Sequence, residues 1–202
     1  MDFFMPALKN PEQTLVLQRR LSKSVVLILL YLSTTGPASA TGITIQSCAT
    51  HREGDIYVLD ADIQFDISEN ALEALKHGIA LQIHTILRLK KDRNWLWDSV
   101  LKETVLRYRM EHHPLSGHYM VTDLLTGVRH TYPTLEGAVG FLTILNNIPF
   151  FESNLLKENE SYTGNMRTQL DIESLPASLR PVAYLSSNWQ LSSPWHSWEI
   201  TR

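Results

Sequence analysis

The clearest pattern in the chain is the alternation of apolar and polar positions over residues 56–67. The polar side carries four residues: Asp60, Asp62, Gln64 and Asp66. A period of two over this length predicts an antiparallel strand that is buried on one side only. Residues 43–49 are predicted to pair with this strand through a turn near Gly54.

Further alternation predicts a series of strands joined by short turns. These strands are expected at 79–90, 104–112, 119–122, 128–132 and 161–172. Two short helices are also predicted. Ser68 is a good N-cap for a helix over 69–77, which Gly78 ends. A second helix over 135–145 follows Thr134 and carries one apolar stripe.

This order of elements predicts a mainly β fold. Seven or more strands with two short helices favour an antiparallel β-sandwich, for which an immunoglobulin-like arrangement is one option. The alternative is an α+β layer in which both helices cover one sheet face. No repeat or linker interrupts residues 41–202, so they are predicted to form a single β-rich domain with one core.

The first forty residues have the three parts of an export signal. Basic residues, Arg19 and Arg20 among them, precede the uncharged apolar run 25–32, and Ala38 and Ala40 frame a cleavage site. The run is too short for a permanent span, which needs about 20 residues. We therefore expect a signal peptide over 1–40, cleaved near Ala40, and a periplasmic protein without a stable transmembrane anchor. An uncleaved N-terminal anchor is the alternative.

Charge and cysteine content exclude several function classes. The formal net charge is −3, and the first forty residues are net basic, so the remainder is more acidic still. Nucleic-acid binding is therefore disfavoured. The single cysteine, Cys48, rules out an internal disulfide framework, and we expect its thiol to be buried and inert. No hydrolase, metalloprotease or nucleotide-binding motif occurs, and no cofactor is expected.

Four stretches of the chain share a recognisable pattern. They are 57–63, 71–78, 107–112 and the C-terminal part 179–195. Together they resemble a family of exported proteins of Gram-negative bacteria that is described only as a domain of unknown function. The resemblance covers nearly all of residues 42–200 and implies periplasmic residence. Genes of that family lie beside a sensor histidine kinase, which implies a link to envelope sensing. The resemblance supplies no catalytic residue, ligand or cofactor.

Acidic and basic side chains recur on the polar sides of the predicted strands. Asp60 and Asp62 lie about 6.6 Å apart on one face, and neighbouring strands offer basic residues: Arg88, Lys90, Arg107 and Arg109. Cross-strand ion pairing explains both sets, each pair contributing about 0–1 kcal/mol. The alternatives are a catalytic carboxylate pair and a charged docking face. The candidate binding residues for that face are Asp60, Asp62, Arg107, Arg109 and Trp195.

Histidines cluster along the predicted hairpins. The candidate metal ligands are His112, His118 and His130. If Gly117 lies in the turn, His112 and His118 sit roughly opposite each other, although their spacing matches no zinc motif. Ordinary polar-face histidines are the alternative explanation.

Tryptophan is abundant in this chain, with five residues. We expect most of them to pack, and Trp189 with the segment 179–198 to belong to the core. Exposed tryptophans would instead stack on a partner or a glycan.

Two functions remain open from the sequence. The first is a non-enzymatic periplasmic interaction module that binds an unknown protein partner in the cell envelope. The second is a glycan-binding or metal-dependent hydrolase.

Overall fold

The structure, a computed structural model, describes residues 42–92 and 99–201. The described residues form nine strands and three α-helices. The strands are β1 Ile43–Glu53, β2 Ile56–Phe65, β3 Leu81–Lys91, β4 Ser99–His113, β5 His118–Asp123, β6 Arg129–Tyr132, β7 Ile144–Glu152, β8 Tyr162–Leu170 and β9 His196–Glu199. The helices are α1 Glu69–Lys76, α2 Leu135–Thr143 and α3 Arg180–Leu185. The predicted signal peptide and the tryptophans at 95 and 97 lie outside the described residues.

The strands pair in two antiparallel sheets that enclose one hydrophobic core. The small sheet has the order β1-β2-β7 and the large sheet the order β6-β5-β4-β3-β8-β9. Contacts cross between them: the Cys48 Sγ lies 3.7 Å from the Met166 Sδ, and the Trp198 Nε1 donates to the Thr50 Oγ1 at 3.2 Å. The mainly β sandwich is therefore confirmed. Its partition into three and six strands differs from the four and three of an immunoglobulin constant domain.

The predicted β1–β2 hairpin is confirmed. The strands pair from Ile43 opposite Phe65 to Glu53 opposite Ile56, and Gly54 in the turn has a φ of 60°. Positive φ values cost glycine little, which suits it to a tight hairpin turn. The apolar side of β2 faces the core, where Leu59 and Ile63 are buried.

Both predicted helices begin at their expected caps. The Ser68 Oγ accepts a hydrogen bond from the Ala71 N–H at 3.3 Å, and the Thr134 Oγ1 accepts one from the Gly137 N–H at 3.2 Å. Each cap satisfies a backbone donor that the first helical turn leaves free. Gly78, with a φ of 81°, follows α1 as predicted.

The end of α2 corrects the sequence analysis, which continued this helix to 145. The helix stops at Thr143, and β7 begins at once and pairs with β2. Burial of Leu145, Phe150 and Phe151 drives the change, because these side chains reach the core only from a strand. Tertiary packing here overrides the local helical pattern.

The C-terminal segment packs as predicted, but not at every residue. Trp189 is 5% exposed, and Leu191 and Ala183 are also buried. The prediction that all of 179–198 belongs to the core is wrong for Val182, Tyr184 and Leu185, which lie on α3, and for Trp195, because all four are exposed.

Candidate functional site

Basic side chains gather on the outer face of the large sheet. Residues directly opposite each other in an antiparallel pair point to the same side. The register places His84 opposite Arg107, Ile86 opposite Arg167, and Thr122 opposite both Arg109 and Arg129. The core-facing residues of these strands, such as Leu87 and Met110, alternate with them. We call the following set the basic face: His84, Arg107, Arg109, Arg129 and Arg167.

Four buried polar atoms on this side of the sheet have no hydrogen-bond partner. Within 42–92 and 99–201, every other buried side-chain N or O atom has such a partner. They are His84 Nε2, Arg109 Nε, Arg167 Nε and Asn165 Oδ1. Asn165 belongs to the same side because it lies opposite Arg88 and Ser197. Unsatisfied buried groups are uncommon in folded proteins, and they often mark a site for water, an ion or a ligand.

Most of the guanidinium groups on this side lack an acidic partner. Arg88 is the exception, because its Nε lies 2.6 Å from the Glu103 Oε2. Across the part of the chain that the structure describes, Arg107, Arg109, Arg129 and Arg167 make no ion pair. The Arg167 Nη2 does contact the Ser192 Oγ at 3.4 Å. The basic face therefore presents unneutralised positive charge.

His84 lies at the centre of this charge. Burial lowers the pKa of its imidazole and the nearby Arg107 lowers it further, while the carboxylate of Asp171 opposes both. The His84 Nε2 lies 3.6 Å from the Asp171 Oδ2, which is too long for a hydrogen bond. The imidazole is therefore mainly neutral at neutral pH, and the positive charge resides on the arginines.

Apolar and aromatic side chains lie among the arginines. The Trp195 ring stacks on the Arg88 guanidinium with 4.6 Å between the ring centroid and Cζ, and the Trp195 residue remains 39% exposed. Ile86 lies opposite Arg167, and Met120 lies opposite Glu111 on the same side. Arginine, tryptophan and methionine are the residue types enriched in protein–protein interfaces.

A groove of about 400 Å³ adjoins the basic face at the end of β8. Arg167 of the basic face lines this groove, and so does Gln169, which lies opposite His84 on the same side of the sheet. Its opposite wall comes from the C-terminal segment and includes Tyr184 and Gln190. The groove continues the surface of the basic face beyond the flat part of the sheet.

The predicted acidic candidates lie elsewhere. Asp60 and Asp62 belong to β2 in the small sheet, whereas Arg107 and Arg109 belong to β4 in the large sheet. Cross-strand pairing between these two sets is therefore wrong, because the sheets present opposite outer faces. Asp60 instead accepts from the Asn147 N–H at 2.9 Å.

The candidate metal ligands are not brought together. His118 lies opposite His113, so the side chains of His112 and His118 point to opposite sides of the sheet, which corrects the expected juxtaposition. The rings of His112 and His130 stack instead on Tyr119 and Phe141, each with centroids 4.7 Å apart. Among the described residues, no group of three His, Cys, Asp or Glu could hold a metal ion.

The lone thiol, that of Cys48, is partly buried against the core. Burial, assisted by the negative charge of Asp60, raises the pKa of Cys48 to about 12. A thiol with this pKa is almost fully protonated at neutral pH and is a poor nucleophile.

Sequence reasoning found two members of the basic face, Arg107 and Arg109, together with Trp195. It missed Arg129 and Arg167, and it did not single out His84 for this role. The alternating pattern at 161–172 contains Arg167 on a polar side. That signal identifies the face only once the order of the strands in the sheet is known.

In 42–92 and 99–201, no helix combines the length and the apolar character needed to cross a bilayer. No curated protein and no solved structure matches the chain. A family model matches residues 40–199. The chain therefore belongs to the family described as a domain of unknown function (DUF4390).

Proposed function

We propose that the protein is a non-enzymatic interaction module of the periplasm that binds a protein partner in the cell envelope through the basic face. The observation that carries this proposal is the set of guanidiniums on one side of the large sheet, those of Arg107, Arg109, Arg129 and Arg167, which make no ion pair among the described residues.

A partner docked on the basic face would supply hydrogen-bond acceptors to these guanidiniums. The bare guanidiniums of Arg107, Arg109 and Arg129 would gain partners in the same contact. Guanidinium groups do not titrate in proteins, so they supply charge and hydrogen bonds but cannot exchange protons at neutral pH. These properties favour binding over acid–base catalysis.

Site-specific photo-cross-linking in the native host tests the contact surface. Thr131 on β6 lies opposite Met120 on β5. A photoreactive residue at position 131 should give a discrete adduct with the protein partner. Matched controls at Thr44 and Gln64, both exposed on the small sheet, should give none. Equal adducts at all three positions, or none at Thr131, would contradict the proposal.

The location is tested separately. Mass spectrometry of the protein from the periplasmic fraction should show an N-terminus at Thr41. A full-length species recovered from the cytosol would overturn the periplasmic assignment.

A further inference from the structure

We propose that the basic face binds an extended acidic segment of a polypeptide, with carboxylates on alternate residues aligned along β4. This inference rests on the proposed function and names the chemistry of the partner. Its central contacts are the guanidiniums of Arg107 and Arg109, and Arg129 and Arg167 extend the positive charge on either side.

Spacing is the first reason. Arg107 and Arg109 are two residues apart on one strand, so their Cα atoms lie about 6.6 Å apart on the same side. An extended partner repeats its side chains at the same interval. Carboxylates at alternate positions of such a segment can therefore meet both guanidiniums, each in the bidentate geometry that arginine and carboxylate favour.

Charge complementarity is the second reason. The sheet itself supplies Arg88 with a carboxylate, that of Glu103, at a 2.6 Å contact. Opposite Arg107, in contrast, the sheet places the imidazole of His84. A like-charged pair at this position would be destabilising, and the lowered pKa of His84 removes that repulsion by keeping the ring neutral. The arginine stays charged and available to an external carboxylate.

The limited extent of the patch favours a short polypeptide segment over a long polyanion. Acidic residues border the basic face, with Glu111 next to Arg109 along β4 and Glu199 opposite Thr163 on β9. The chain as a whole has a net charge of −3. With a screening length of about 8 Å at physiological ionic strength, the basic face acts only at close range. Nucleic acid or a flat anionic membrane would extend over the acidic border and be repelled there.

Fluorescence anisotropy with labelled ten-residue peptides tests the inference. The probes are an alternating Glu peptide, Thr-rich with Glu at positions 5 and 7 only; a grouped isomer with Glu at positions 5 and 6, which point to opposite sides of an extended chain; and a Gln peptide with Gln at positions 5 and 7. We expect the alternating Glu peptide to bind about three- to fivefold more tightly than the grouped isomer, and the Gln peptide not to bind. Equal affinity for the alternating and grouped peptides would overturn the alternate spacing, and binding of the Gln peptide would overturn the role of charge.

A matched pair of double variants locates the binding. Arg107→Gln with Arg109→Gln should weaken binding of the alternating Glu peptide about ten- to twentyfold, which is about three- to fivefold for each lost exposed charge pair. Arg52→Gln with Arg180→Gln removes the same charge from exposed ion pairs outside the basic face, and should change affinity less than twofold. Equal losses in the two variants would overturn the inference. Unchanged far-UV circular dichroism and melting temperature verify that both variants fold.

The remaining outcomes separate this inference from the proposed function. Adducts at Thr131 without any peptide binding would overturn the acidic segment and leave the contact surface in place. Peptide binding that depends on Arg107 and Arg109 without adducts would support the segment and overturn the envelope partner. Tighter arginine-dependent binding to phosphatidylglycerol vesicles than to the alternating Glu peptide would assign the face to lipid and overturn the inference.

Discussion

Replacing Trp189 by alanine should destabilise the protein strongly, because this side chain fixes the C-terminal segment to the domain. Trp189 is 5% exposed and lies in a turn that packs against α1, where the Ser68 Oγ donates to the Asn188 carbonyl. A buried tryptophan removes about 150–250 Å² from water. At about 25 cal/mol/Å² this is worth about 4–6 kcal/mol, close to the 3–5 kcal/mol found for such truncations.

Thermal melting followed by near-UV circular dichroism measures this loss. For a domain of this size, 1 kcal/mol shifts the melting temperature by about 2–4 °C, so Trp189→Ala should lower it by roughly 6–20 °C. Leu185→Ala is the matched control from the same segment, because Leu185 is 90% exposed. It should shift the midpoint by less than about 2 °C. Equal shifts, or an unshifted midpoint for Trp189→Ala, would refute the assignment of this segment to the core.

Three further predictions address packing, reactivity and pH. A Cβ on Gly164 would lie 2.3 Å from the Trp198 Cε2, so Gly164→Ala should displace that ring and destabilise the protein by about 1–3 kcal/mol in thermal melts. A Cβ on Gly140 would meet nothing within 4 Å, so Gly140→Ala should be neutral or slightly stabilising in the same measurement. Because the pKa of Cys48 is raised to about 12, about one thiol in ten thousand is ionised at pH 8. Iodoacetamide should therefore label the unfolded chain far faster than the native protein. Equal labelling rates would contradict this. Burial lowers the pKa of His84 in the folded protein, so the unfolded chain binds the proton more readily. The free energy of unfolding should therefore fall as the pH drops below about 6.5. Denaturant titrations should show this loss in the wild type and a smaller loss in His84→Gln.

The parts of the fold that sequence predicts well have a local cause. The β1–β2 hairpin follows from a period of two on either side of Gly54, which has the positive φ of a tight turn. Helix α1 follows from the Ser68 cap and the stop at Gly78. Each of these signals spans only a few residues, so no knowledge of the rest of the chain is needed to interpret it.

β7 lacks such a signal for a physical reason. Its pairing with β2 contains two register shifts, Asn147 has a φ of 52°, and Pro149 interrupts the run of backbone donors. These irregularities destroy the period of two that would have predicted a strand. α3 is likewise hidden, because six residues are too few for a helical period to emerge.

The basic face depends on information of a third kind, the order of the strands. Alternation alone assigns Arg107 and Arg167 to polar sides of their strands, but it cannot reveal that β3 lies between β4 and β8 and brings them to one surface. The same order separates Asp60 and Asp62 from the arginines, because β2 belongs to the other sheet. Local pattern therefore identified charged faces without their partners.

The pairing of Arg88 with Glu103 shows that this sheet can neutralise a guanidinium when a carboxylate lies opposite it. Geometry therefore does not prevent ion pairing on this face, and the choice of residue at each register position decides it. Opposite Arg107 the chain places His84, and opposite Arg109 it places Gln82 and Thr122. None of these three side chains can neutralise an arginine. The unpaired charge on the basic face is thus set by the sequence at particular cross-strand positions, and it is this property that an acidic partner would use.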